Sequence, residues 1–171
     1  NQSENKENKI MDEKQLIKIK ESKFYELTGW LIKWGYKVVD RTRENKITDI
    51  QFQAEISPIL PYSSGLSTPL YLEFQNDLDD GFIIRTTFEL DKEMETYLIN
   101  QKKGKETELI YLEIEQLVLP LKISILRSHP VINFYKVIFY DNLNKQFFND
   151  SFNDLVNSMS LAIGRWSQEN Y

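Results

Sequence analysis

The chain of 171 residues has no cysteine and one histidine. The first absence excludes disulfides, thiolate metal sites and cysteine nucleophiles. The second excludes a histidine-rich metal site. Lack of cystine fits a reducing, cytoplasmic setting. Glycine is scarce, at six residues, too thinly spread for a Walker loop or a dinucleotide fingerprint. Gly104-Lys-Glu-Thr107 matches only the tail of a phosphate loop. No apolar run approaches the ~18 residues of a membrane span. There is no Gly-x-Ser-x-Gly elbow. The lone His129 precedes Pro130 in a predicted turn, a solvent-exposed kind of place, which argues against a catalytic histidine. No catalytic residue, cofactor or metal site is therefore expected.

What is present is a globular composition. Hydrophobic residues make up 41% and aromatics 13%, enough for a real core. The length fits one domain, read over residues 11–171, after a flexible polar tail at residues 1–10. The net charge of −5 disfavours nucleic acid as the main partner. It is uneven: residues 1–46 carry 11 Lys/Arg against 8 Asp/Glu, and the remainder is acidic. Interleaving of the two signs in the basic part suits a solvated helix face.

A helix is predicted from about Met11 to Gly35, the latter as its C-cap. Phe24, Leu27, Leu31 and Ile17 share one face at ~100° per residue. Leu16, Ile19, Trp30 and Trp34 widen the apolar arc beyond the ~100° stripe that a surface helix needs. Ile19, Trp30, Trp34 and the following Tyr36 are thus candidates for contact with a partner, the alternative being cover by a loop or by the tail.

Tyr36–Arg43 reads as a connector or short extended piece. Ile50, Phe52, Ala54 and Ile56 alternate with polar residues and predict a half-buried strand. Ser57–Gly65, with two prolines, makes a long turn. Strands follow at Leu70–Phe74 and Phe82–Leu90, giving an antiparallel meander. Asp91–Gln101 suits a short helix. Leu121–Arg127 and Val131–Tyr140 read as strands, although helix against strand stays open over Leu117–Leu126. The last helix places Phe152, Leu155, Val156, Met159, Ile163 and Trp166 at helical spacing, with Ser151 and Asp154 at capping-box separation.

Glu108–Leu119 is a helix apolar almost all the way round. Such a helix is covered on every side, and one sheet covers only one side. A second copy of the chain is the simplest cover for the rest, with Leu109, Tyr111, Leu112, Ile114 and Val118 at the interface. Glu113 and Glu115 point in different directions and are expected beside Lys or Arg, not as an acid–base pair. Asn76–Gly81 fails as an EF-hand loop, since Leu78 and Thr87 fall where carboxylates are required, and is read as a β-turn. Tyr62, Tyr71, Phe74 and Phe82 with Arg85 suggest a stacking platform for single-stranded nucleic acid, but core packing is the better reading in this acidic half.

The predicted order, α-β-β-β-α-β-β-α, is that of an α+β domain with helices packed on an antiparallel sheet. It resembles the fold of class I type III secretion chaperones and of a wider set of uncharacterised prokaryotic domains. The resemblance rests on the helices Phe24–Trp34, Leu109–Leu119 and Phe152–Trp166, the strands between them, and a faint pattern at Tyr140-Asp-Asn-Leu143. It implies a homodimer with the middle helix and a neighbouring strand near the two-fold. It also implies binding of an extended client segment through apolar patches. The function expected is a homodimeric, non-enzymatic protein-binding module. The alternative is a small-ligand-binding domain or enzyme with an apolar pocket.

Overall fold

Helix α1 spans Gln2–Lys33. It ends in a Schellman motif: Gly35 has φ 93°, its N–H bonds to the Ile32 carbonyl, and the Tyr36 N–H bonds to the Leu31 carbonyl. The expected glycine C-cap is therefore present. The helix starts well before Met11, because Gln, Glu and Lys are good helix formers even without an apolar stripe. The computed structural model describes residues 2–57, 69–89, 92, 93, 96, 100, 104–128 and 130–167. His129, nearly all of the Ser57–Gly65 turn including Tyr62, and most of the Asp91–Gln101 helix lie outside the described residues.

The architecture is α+β. Strands β1 (Lys37–Asp40), β2 (Ile50–Ser57), β3 (Leu70–Gln75), β4 (Gly81–Glu89), β5 (Ser124–Ser128) and β6 (Val131–Phe139) form one antiparallel sheet, in the order β1-β2-β3-β4-β6-β5. Tyr36–Arg43, read as a connector or short extended piece, supplies β1, so four strands precede the middle helix where three were expected. Gly81 pairs with Phe139, and a Cβ there would stand 2.6 Å from the Ile138 carbonyl oxygen. Only glycine lets β4 and β6 meet so closely at this point.

Helix α2 (Gly104–Val118) passes into a 3-10 turn at Leu119–Leu121, where Pro120 stops it. The open stretch Leu117–Leu126 thus divides into helix end, turn and strand, and β5 starts at Ser124, later than expected. Helix α3 spans Lys145–Ser167. Its N-cap is Asn144, whose Oδ1 accepts from the Phe147 N–H at 2.8 Å. Ser151 is buried within the helix and does not cap it.

Alternation puts Phe52, Ala54, Ile56, Leu70, Leu72, Phe74, Phe82, Ile84 and Phe134 on one face of the sheet, packed into the core. The helices cover this face. Phe24 of α1 lies 5.6 Å from Phe52 and 6.1 Å from Phe74, ring centre to ring centre. Phe148 of α3 packs on Phe82, and α2 joins through Ile110, Ile114 and Val118. Helices α1, α2 and α3 leave the opposite face free among the described residues.

Candidate functional site

On α2 the apolar residues divide between two environments. Tyr111, Ile114 and Val118 are buried in the chain's own core, so three of the five expected interface residues are used internally. Leu109 and Leu112 point the other way and are 54% and 43% exposed. Leu117 and Leu119 are exposed beside them. Glu108, Glu113 and Glu115, which flank these leucines, are held by arginines from neighbouring elements. Arg127 of β5 donates to Glu108 and Glu115, and Arg165 of α3 donates to Glu113. These carboxylates raise the pKa of Arg127, the Glu115 hydrogen bond most of all. Glu113 and Glu115 thus serve separate arginines, as their spacing implies.

The α1 candidates are placed differently. Trp30 and Trp34 lie half-buried against Phe148 of α3, each at 6.0 Å between ring centres. Tyr36 packs edge-on against Phe152 at 5.0 Å. The cover for this wide arc is another helix of the same chain. Ile19 remains exposed, and so does Ile17, which the helical wheel put on the core stripe. The reason is length. A 32-residue helix is about 48 Å long, and the strands it crosses span about 30 Å at most. Lys20 already reaches the end of β3, where its Nζ donates to the Gln75 carbonyl at 2.7 Å.

The helix-free face holds what the sequence did not disclose. Glu73 of β3 projects from it, yet is 1% exposed. Arg85 of β4 donates to it through Nε at 2.6 Å and Nη2 at 3.2 Å, and Gln53 of β2 through Nε2 at 2.7 Å. The Tyr71 ring covers the Arg85 guanidinium at 4.6 Å. Arg85 also donates to Thr87, which donates to Asn133. Tyr71 and Arg85 therefore share a face, while Phe74 and Phe82 are on the other, buried in the core. Phe74 and Phe82 thus pack in the core, as the favoured reading had it, and do not stack with Tyr71. Beside this network, the loop after β1 and the sheet flank an open cleft of about 420 Å³. Arg41 stands on its wall, donating to Glu55 and Glu44 at 2.7 Å each.

The acidic turn at Asn76–Asp80 joins β3 to β4, as a β-turn reading requires. Its Asp79 faces the ammonium of buried Lys20 at 3.9 Å. Burial lowers the pKa of Lys20, and Asp79 and Asp77 oppose that shift. The nearby Tyr140 hydroxyl is buried without a hydrogen-bond partner. Its pKa is pushed up to about 12, by burial first and then by Asp80 and Asp79. Among the described residues no cluster of His, Cys, Asp and Glu has the geometry to hold a metal ion, and no helix is long and apolar enough to cross a membrane.

Comparison with protein-family models and with curated proteins finds no match. Among solved structures, the chain is similar to an uncharacterized protein from Methanothermobacter thermautotrophicus. The TM-score is 0.67 at 13% identity, over 84% of this chain and 96% of the other. At that identity the likeness shows the fold alone.

Proposed function

We propose that the chain is a homodimeric, non-enzymatic protein-binding module, working in the cytoplasm and holding an extended segment of a client protein. One observation carries it. The outer face of α2 exposes Leu109 and Leu112, and the glutamates around them are already neutralised by Arg127 and Arg165 of the same chain. A face with unpaired carboxylates resists burial, because desolvating them costs several kcal/mol each. Here that resistance has been reduced in advance, and apolar surface remains to be covered. A two-fold contact through α2 places the same leucines opposite one another. The resemblance in element order to class I type III secretion chaperones supports the same geometry, and their mode of holding extended segments supports the client role by analogy.

Size-exclusion chromatography with light scattering tests the dimer. The native chain is expected at twice its 20.3 kDa mass at micromolar concentration. Leu112→Glu, which places a charge on that face, is expected as a folded monomer with unchanged circular dichroism. A native chain that stays monomeric at high concentration sinks the proposal. A ligand-binding role is favoured by a separate observation, the open cleft on the helix-free face.

A further inference from the structure

We infer that the free edge of β1, together with the flank of α1 above it, is a docking site for an extended segment of another polypeptide, added to the sheet as one more strand. The inference rests on the protein-binding reading above but not on the dimer. β1 and β5 are the two opposite edges of the sheet, and α2 lies by β5.

The register shows which backbone groups are free. Strand β1 has one neighbour, β2, and Asp40 faces Ala54. One step on, the Arg41 N–H bonds to the Gln53 carbonyl at 2.8 Å. Facing pairs in an antiparallel ladder alternate between bonded and unbonded. Counting back by two, Val39 with Glu55 and Lys37 with Ser57 are bonded pairs. Val38 and Asp40 therefore turn their N–H and C=O groups away from β2. Among the described residues, no backbone group outside β2 bonds to either. Two donors and two acceptors thus point into the open edge. Their spacing is that of a strand, and another extended chain presents complementary groups at the same repeat.

Helix α1 forms the wall of the site. Phe24 sets that helix over β2 and β3, and Trp30 and Trp34 turn one flank toward Phe148 of α3. At ~100° per residue, Tyr25 and Ile32 fall on the opposite flank, over β1. They are 58% and 59% exposed, and seven residues apart they share one line along the helix. Lys20 sits at the Gln75 end of the sheet, and the helix finishes at the Ser57 end, where β1 begins. Helix and strand therefore run antiparallel, with Ile32 toward Val38 and Tyr25 toward Asp40. Val38 itself packs on the core. An added strand puts alternate side chains beside Val38, Ile32 and Tyr25, so the segment it fits is apolar at every second position. β1 has four residues, so that segment is short, about five residues or ~17 Å. A second copy of the chain pairs less well. About a two-fold, β1 on itself sets Lys37 opposite Arg41, Asp40 opposite Asp40, or Asp40 opposite Tyr36, according to register. Like charges face to face are destabilising, and the last register sets a carboxylate against a ring.

The test is a ¹H–¹⁵N NMR titration of the native chain with a capped hexapeptide of alternating valine and threonine. Saturable shifts are expected at residues 36–41, 25 and 32, in the millimolar range. At about tenfold excess over the dissociation constant, hydrogen exchange at the Val38 and Asp40 amides is expected to slow about tenfold. The fully N-methylated analogue keeps the side chains, loses the donors, and is expected not to bind. Ile32→Glu, at an exposed position, is expected to weaken the peptide about tenfold. Val38→Pro removes an N–H that β2 does not use and is expected to abolish binding, its own spectrum reporting the fold. The inference is overturned if the peptide does not saturate, if the methylated analogue binds equally, or if both variants bind like the native chain. Shifts confined to α2 or to Ile125 and Arg127 on the other edge also overturn it. So do Val38 and Asp40 amides that are protected in the native chain alone and released on dilution, which assign the edge to a second copy. Loss of the dimer does not alter these results, and failure of the peptide leaves the dimer standing.

Discussion

Among the buried polar groups of the described residues are those of three ionisable side chains, Glu73, Lys20 and Tyr140. Glu73 is satisfied by Arg85 and Gln53, and Lys20 by the Gln75 carbonyl and Asp79. The Tyr140 hydroxyl has no partner. Its raised pKa makes stability depend on alkaline pH. Between the ordinary tyrosine value of 10.0 and about 12, the unfolded chain has lost a proton that the folded chain keeps. Stability therefore falls as pH rises through that window. Lys20 works in the opposite sense: its folded pKa is lowered, so the unfolded chain holds the extra proton and stability rises with pH toward 10.5. Comparing the native chain with Tyr140→Phe cancels the lysine. The native urea midpoint is expected to drop more steeply than that of Tyr140→Phe from about pH 10 upward. At neutral pH the variant is expected to be as stable or more so, since it removes an unbonded buried hydroxyl. Parallel curves sink this account.

At the scale of elements, the helix layer is joined by aromatic rings. Phe148 of α3 touches Trp30 and Trp34 of α1, Phe82 of β4 and Phe152 of its own helix. It is fully buried and links two helices to the sheet. Phe148→Ala is expected to cost about 3–5 kcal/mol, the range for truncating a buried aromatic. Urea unfolding measures that loss, and native tryptophan emission should shift to the red as Trp30 and Trp34 lose their cover. A loss under about 1 kcal/mol means that the layer does not depend on this ring. Most of these elements were legible from period alone. The stripe of α3, the Gly35 cap and the alternation of β2 and β3 all depend on residues a few positions apart. The start of α3 was misread because Asn144 and Ser151 both suit a cap, and the choice depends on where Phe147 and Phe148 pack. β1 was left open between connector and extended piece because four residues carry too little alternation to separate the two.

For the molecule as a whole, the question is whether the outer face of α2 stays wet. If a second copy covers it, folding and association are linked, and the melting temperature rises with protein concentration. A melting temperature constant over about a hundredfold range of concentration would show that association adds nothing to stability. Leu112→Glu is expected to melt at one temperature whatever its concentration.

Taken alone, the sequence determined the class of domain, the run of helices and strands, and the exclusion of cysteine chemistry and of familiar nucleotide loops. Those follow from composition and from short-range periodicity. Tertiary structure decided which side of α2 is left exposed, where α1 outruns the sheet, and that Glu73, on the face of β3 turned away from the core, is enclosed. It also decided that Arg127 and Arg165 reach the glutamates of α2, and that Arg41, Tyr71 and Arg85 meet around one open cleft. Each of these joins residues distant in the chain, and its outcome depends on strand register and helix placement, which no local pattern encodes.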